Sequence, residues 1–225
     1  MPYANTAFTI PFMIPDYTFV ADEDISVLEE LTGAASGLIH PLPSAEVRKF
    51  SFNALRLFLH KYGLYTMPTT ELVDYLADKI AGKKAIEIGA GLGVIGRSLG
   101  IPMTDNKQQS WPSVKAFYEA MRQPTIQYPA DIIEMDAHEA VSHYRPDIVI
   151  GSYITHKMLP GMTSGNYYGV DNLAIAKQVE TYYMIGNMRT HMQDPAMRYL
   201  DGIEHHDFLF TRGGQETSVI FRWKR

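Results

Sequence analysis

The residues of this chain best placed to do chemistry cluster around one run, Ala85-Ile86-Glu87-Ile88-Gly89-Ala90-Gly91-Leu92-Gly93. A short apolar strand carries an acid and then breaks into alternating glycines. Glycines lack a Cβ, so they tolerate a tight turn and let a ligand reach bare backbone. The helix expected next would offer unpaired N–H groups and a positive dipole end. An acid at the strand end suits an amino or hydroxyl group and would repel a diphosphate. Asp105 ends a second apolar run, Ile101-Pro102-Met103-Thr104, and Asp136 with Ala137 closes a third, Ile133-Glu134-Met135. A carboxylate at the position of Asp105 can accept both hydroxyls of a ribose, as nucleoside-binding doubly wound folds do. Asp105 and Asp136 also suit plain helix or turn caps.

A fourth apolar run leads into Gly151-Ser152-Tyr153-Ile154-Thr155-His156. In parallel sheets, ligands bind in the crevice at the carboxyl ends of the strands. His156 is therefore the candidate general base, and Tyr153 could orient or stack on a reacting partner. Each also reads as an ordinary residue, His156 at a loop start and Tyr153 in packing. Asn187 and His191 follow the fifth run at the same edge, with helix capping as the plainer role for Asn187. His138, His143 and His156 lack metal-ligand spacing, and His205-His206 on a strand would point to opposite faces. Tyr62, Tyr65, Tyr167 and Tyr168 could line a pocket, and packing explains them equally well.

These groups need elements to position them. Residues 1–20 read as an extended proline- and aromatic-rich arm. A short helix over 22–34 follows, capped by Asp22 or Asp24, then a second over 45–61. A third, capped by Thr69 or Thr70, stops at Gly82. From Lys84 the pattern alternates. Strands are expected at 85–88, 101–104, 131–135, 147–151, 182–186, 205–211 and 217–223. Helices are expected at 93–99, 111–121, 137–144, 171–180 and 194–200. Such alternation implies parallel strands joined by crossovers. Asp207–Thr211 and Thr217–Trp223, around Arg212-Gly213-Gly214-Gln215, read as a closing hairpin. The expected architecture is a doubly wound α/β domain over 84–225, its seven-stranded, mostly parallel sheet ending in an antiparallel hairpin. Residues 1–83 supply an arm and a helical cap.

Composition narrows the function. With 225 residues, 46% of them hydrophobic and 20% charged, the chain can bury a sizeable core. A formal charge of −5 tilts against nucleic acid as partner. Without cysteine there is no disulfide, thiolate zinc site or cysteine nucleophile. No apolar run approaches the roughly 20 residues that span a bilayer, and no secretory leader is evident. A cytoplasmic protein is expected.

Residues 84–225 resemble the class I S-adenosylmethionine-dependent methyltransferases, whose seven-stranded sheet is parallel except for a last strand inserted antiparallel. Glu87 with Gly89, Gly91 and Gly93 is similar to that family's first motif, acidic-x-Gly-x-Gly-x-Gly. The resemblance implies S-adenosylmethionine as cofactor, its methionine portion against the turn and its amino group near Glu87. It implies ribose at Asp105, adenine at Asp136-Ala137, and acceptor and catalytic residues at Gly151-Ser152-Tyr153. The acceptor would be the oxygen or nitrogen of a small molecule or a protein.

Other readings stay open. Gly91-Leu92-Gly93-Val94-Ile95-Gly96 also satisfies the dinucleotide fingerprint, which would make the chain a nicotinamide-dependent oxidoreductase. A non-catalytic nucleoside-binding module is a third possibility. Tyr65-Thr66-Met67-Pro68 resembles the aromatic-x-Thr-Pro segment of DNA adenine methyltransferases. However, Gly151-Ser152-Tyr153-Ile154 stands where those enzymes carry an Asp/Asn-Pro-Pro-aromatic run.

Overall fold

The structure is a computed structural model that describes residues 23–120, 123–155, 169–212 and 218–225. The expected N-terminal arm lies outside the described residues. Ile25, rather than the expected Asp22 or Asp24, takes the N-cap position of α1 (Ser26–Thr32); Asp24 Oδ1 accepts the Ser26 N–H at 2.9 Å, and Gly33 ends the helix in left-handed backbone at φ 68°. Two helices, α2 (Ser44–Val47) and α3 (Phe52–Lys61), replace the single one expected over 45–61. The cause of the break is local. Ser51 Oγ accepts the Ala54 N–H at 3.0 Å and begins α3 afresh, a side-chain acceptor competing with helix continuation. Leu28, Val47, Leu55, Phe58 and Leu59 form a core of their own, which Met67 and Val94 join.

After β1 (Thr66–Met67), Thr69 accepts the Leu72 N–H at 3.2 Å and caps α4 (Thr70–Ile80). The sequence groups α4 with the cap, yet Leu72 and Leu76 bury against Ala85, Ile148 and Ile150 of the sheet.

Alternation then holds. β2 (Ala85–Ile88), α5 (Val94–Leu99), β3 (Met103–Asp105), α6 (Pro112–Ala120), β4 (Ile133–Glu134) and α7 (Ala137–Tyr144) come first. β5 (Ile148–Ser152), α8 (Asn172–Ala176), β6 (Thr181–Asn187), α9 (Met188–His191) and β7 (Gly202–Glu204) follow. β8 (Phe210–Thr211) and β9 (Ser218–Lys224) end the chain. Seven strands lie in the order β4-β3-β2-β5-β6-β9-β7, all parallel except β9, which opposes both its neighbours. Side chains alternate between faces, as the pleat requires. Ile86, Ile88, Val149, Tyr182 and Met184 pack with Ala140 and Val141 of α7 and Ile175 of α8. Ala85, Ile148, Ile150, Tyr183 and Ile185 pack under α4 and Ile95 of α5. The sheet is thus covered on both sides, and the strand order reverses between β2 and β5.

The expected arm of the closing hairpin lies elsewhere. β9 meets Gly202–Glu204 across the sheet edge, whereas Phe210 and Thr211 leave to pair with Met67 and Thr66. Groups from the N-terminal part hold residues 207–211 away from the sheet. Arg48 Nη2 donates to the Asp207 carbonyl at 2.8 Å, Thr69 Oγ1 to that of Phe208 at 3.0 Å, and Thr66 Oγ1 to that of Phe210 at 2.6 Å. Alternation of side-chain types cannot report such long-range bonds. The Gly213-Gly214 turn lies outside the described residues.

Candidate functional site

The turn after β2 is built as its glycines demand. Gly89, Gly91 and Gly93 have φ of 55°, 56° and 67°, left-handed values that L side chains rarely adopt. The Ala90 N–H reaches the Thr104 carbonyl at 2.9 Å, so the turn is tied to β3. Arg97 steadies it from α5, donating to the Leu92 carbonyl at 3.1 Å and gripping both Asp131 oxygens at 2.8 Å.

Both acids of the motif bond to this backbone. Asp105, 8% exposed at the end of β3, accepts the Gly91 N–H at 2.9 Å on Oδ2 and the Lys107 N–H at 2.7 Å on Oδ1. Burial raises its pKa, against the pull of those two N–H groups. Glu87 projects from β2 to the face under α5, where Oε2 accepts the Gly96 N–H at 2.8 Å. It is 2% exposed, and burial pushes its carboxyl up to about 8. The α5 donor that could have faced a ligand is thus bonded to Glu87. Gly96 is bare for a packing reason, since a Cβ there would lie 2.6 Å from Glu87 Oε2 and 2.5 Å from Met103 Cγ.

Asp136 caps α7, its Oδ1 accepting the His138 N–H at 2.8 Å, and its side chain is exposed beside buried Ala137. Gly151 sits in β5 between Ile88 and Met184. A Cβ on it would meet Ile154 Cγ1 at 2.8 Å and Tyr182 Oη at 3.0 Å. Ile154 also lies against the turn, its Cδ1 filling the place of a Gly89 Cβ. Tyr153 takes left-handed backbone at φ 54°, a strained state for such a residue. Its N–H donates to the Ile185 carbonyl at 2.7 Å. Its hydroxyl bonds Ser218 Oγ at 2.9 Å and Thr211 Oγ1 at 3.2 Å.

The ring of Tyr153 stacks on Tyr65, with centroids 5.2 Å apart and planes at 19°. Arg212 lies over the Tyr65 ring, 3.9 Å from its centroid. His191 meets Tyr153 edge-on at 5.7 Å, and Asn187 caps α9 through the Thr190 N–H at 2.7 Å. The structure therefore gathers Gly89, Gly91, Asp105, Gly151 and Tyr153 at one edge of the sheet, with Asp136 at the start of α7 beside β4. His156, Tyr167 and Tyr168 lie outside the described residues.

Sequence reasoning missed the segment 123–129. Ile126, nearly buried, places Cδ1 3.5 Å from where a Gly91 Cβ would stand, and Cγ2 2.5 Å from that of Gly63. Its N–H donates to Gln109 Oε1 at 3.1 Å. The Tyr128 hydroxyl accepts the Gln109 N–H at 3.4 Å. No periodicity marks this segment; its one sequence signal is Tyr128 among prolines. Among the described residues no group of three His, Asp or Glu could hold a metal ion, and no helix is long and apolar enough to cross a membrane.

Six parallel strands with a seventh inserted antiparallel, entered through a glycine turn, decide the architecture. This is the class I methyltransferase fold. No family model matches the chain, nor does any curated protein. Among solved structures, Thermoplasma acidophilum 1320 is 14% identical with a TM-score of 0.38, over 77% of this chain and 97% of that one. The Pyrococcus abyssi tRNA (uracil-54, C5)-methyltransferase, in complex with S-adenosyl-L-homocysteine, is 12% identical with a TM-score of 0.35. That match spans 68% of this chain and 37% of that one. PH1948 from Pyrococcus horikoshii is 16% identical with a TM-score of 0.37, over 73% and 87% of the two chains.

Proposed function

We propose that this chain transfers a methyl group from S-adenosylmethionine to an oxygen or nitrogen of a small-molecule or protein acceptor. One observation carries the reading. Three left-handed glycines cross from β2 to α5 beside a buried carboxylate on the next strand, where the strand order reverses. The residues fit such a cofactor. A carboxylate offers about four lone-pair sites, and backbone N–H groups of Gly91 and Lys107 take two on Asp105. Two remain for a vicinal diol. Asp136 and the Ala137 N–H serve the adenine edge, and the turn at Gly89, Gly91 and Gly93 lies against the methionine portion. Glu87 acts from beneath, holding the turn to α5 through Gly96.

When bound, the cofactor supplies an electrophilic methyl on a sulfonium, and displacement there needs alignment above all. Gly151-Ser152-Tyr153 forms the wall that aligns the acceptor. The Tyr153 hydroxyl, shared with Ser218 and Thr211, fixes the ring rather than moving a proton. Where the acceptor must lose a proton, His156 is the base.

Calorimetry with S-adenosylmethionine, S-adenosylhomocysteine and NADH tests the cofactor. Labelled-methyl transfer into small-molecule, protein and RNA fractions of an extract tests the acceptor. Binding of the two sulfur nucleosides with label in a protein or small-molecule fraction is expected. Label confined to RNA overturns the acceptor class. Nicotinamide binding alone would make the chain an oxidoreductase, and nucleoside binding without transfer would make it a binding module.

A further inference from the structure

We infer that Arg212 recognises the acceptor, and that the acceptor is a small molecule carrying an oxyanion, a carboxylate or a phosphate. The inference rests on the methyl-transfer reading above and narrows its acceptor.

Arg212 follows β8 directly, and its backbone is fixed by the N-terminal part of the chain. Its N–H donates to the Tyr65 carbonyl at 3.4 Å, and Thr211 Oγ1 donates to the same carbonyl at 3.3 Å. Thr211 pairs with Thr66 across the β1–β8 ladder and bonds the Tyr153 hydroxyl at 3.2 Å. The guanidinium carbon lies 3.9 Å from the Tyr65 ring centroid, and the same ring stacks on Tyr153 at 5.2 Å. Arg212 is therefore built into the wall proposed to align the acceptor, one aromatic ring removed from Tyr153.

Its donors are unspent. Arg48 pairs with Asp207, Arg97 with Asp131, and Arg222 with Asp201 and Glu204. The half-buried Arg212 side chain has neither a carboxylate nor a carbonyl partner among the described residues, and the Tyr65 ring is what holds it. A guanidinium resting on a ring uses its face, while its five N–H groups lie in its plane. Those donors suit the paired oxygens of a carboxylate or a phosphate, which a neutral alcohol or an amine does not present. A polyanion such as nucleic acid is held by several cations along its backbone. One guanidinium, in a chain of formal charge −5, suits a single oxyanion. Arg212 binds that group and takes no part in the bond changes at the methyl carbon.

The test divides the small-molecule fraction of an extract on an anion-exchange resin. Flow-through and salt eluate are then offered separately as acceptors with labelled S-adenosylmethionine. Label is expected in the eluate pool. Treating that pool with alkaline phosphatase separates the two sources, since a phosphate acceptor is lost and a carboxylate acceptor persists. In Arg212→Gln the amount of eluate giving half-maximal rate should rise roughly 10- to 100-fold, the range for a lost charge-assisted pair. The affinity for S-adenosylhomocysteine should stay within about twofold, and the maximal rate should change less than the half-saturating amount. A guanidinium that only propped up Tyr65 would do the reverse. Arg212→Lys keeps the charge without the fork and should show a rise of roughly 3- to 10-fold; it carries the test if Arg212→Gln does not melt cooperatively. Label confined to the flow-through, to protein or to RNA, or an unmoved half-saturating amount in a folded variant, overturns the inference and leaves methyl transfer standing. If the wild type labels no pool, or binds no S-adenosylhomocysteine, the methyl-transfer reading itself falls, and the inference with it.

Discussion

Glu87 and Gly96 are partners, one the acceptor and the other the donor of a 2.8 Å hydrogen bond between β2 and α5. Each depends on the other. The carboxyl fits only because Gly96 lacks a Cβ, and the α5 N–H is satisfied only because a carboxyl lies beneath it. We expect Gly96→Ala to destabilise the fold by about 1–3 kcal/mol, the usual cost of overpacking. Urea denaturation would register this as a lower midpoint at unchanged slope. A midpoint equal to the wild type's would contradict the packing described.

The same carboxyl gives stability a pH dependence of known sign. Its pKa is raised from 4.5 to about 8 in the folded chain. The folded state therefore holds the proton more tightly than the unfolded one. Its contribution is fully present below pH 4.5 and is lost as pH rises through about 8. Against Glu87→Gln, which cannot ionise, the wild type should lose on the order of a few kcal/mol between pH 5 and pH 9. Denaturant midpoints of both proteins across that range provide the check. Parallel profiles would mean that Glu87 does not titrate as its burial requires.

Asp105→Ala removes the carboxylate proposed to hold ribose. Binding of S-adenosylhomocysteine should weaken by about 1–3 kcal/mol. Because Asp105 also accepts two backbone N–H groups, the melting temperature should fall as well. Asp105→Asn, which keeps one acceptor oxygen, should recover part of the stability and little of the affinity. Equal affinity in all three proteins would move the ligand elsewhere.

Tyr153→Phe tests the acceptor wall. Loss of the bonds to Ser218 and Thr211 should cost about 0.5–1.5 kcal/mol of stability. With labelled methyl as readout, kcat should drop while the KM for S-adenosylmethionine stays within a factor of two or so, if the tyrosine aligns the acceptor as proposed. A rise confined to the cofactor KM would assign Tyr153 to the nucleoside instead.

Much of this architecture was legible because local pattern and packing agree. Ala85–Ile88 alternates between the two faces of the sheet, and Gly89, Gly91 and Gly93 take the backbone that only glycine adopts easily. Thr69 and Asp136 are caps, as their types suggest, whereas Ile25 takes the cap position that Asp24 was expected to fill. Where distant bonds decide, the sequence was silent. Ser51 splits a helix whose apolar spacing runs on unbroken. Arg48 and Thr69 hold residues 207–211 against β1, so the strand that joins β9 starts upstream of the expected one. Glu87 reads as an acid facing a ligand, and its turn toward Gly96 depends on which face of β2 it occupies. Ile126 and Tyr128 have no motif, and only the folded chain brings them to Gly91 and Gln109.

The short ladder between β1 and β8 bears on how the molecule can be divided. Thr66 and Met67 hold Phe210 and Thr211, and Thr211 in turn bonds Tyr153. Tyr65 stacks on Tyr153, and Arg212 lies over the Tyr65 ring. Expressing residues 84–225 by themselves would therefore strip Phe210 and Thr211 of their strand partners and Tyr153 of its stacking ring. Any minimal version of this protein must keep Tyr65, Thr66 and Met67.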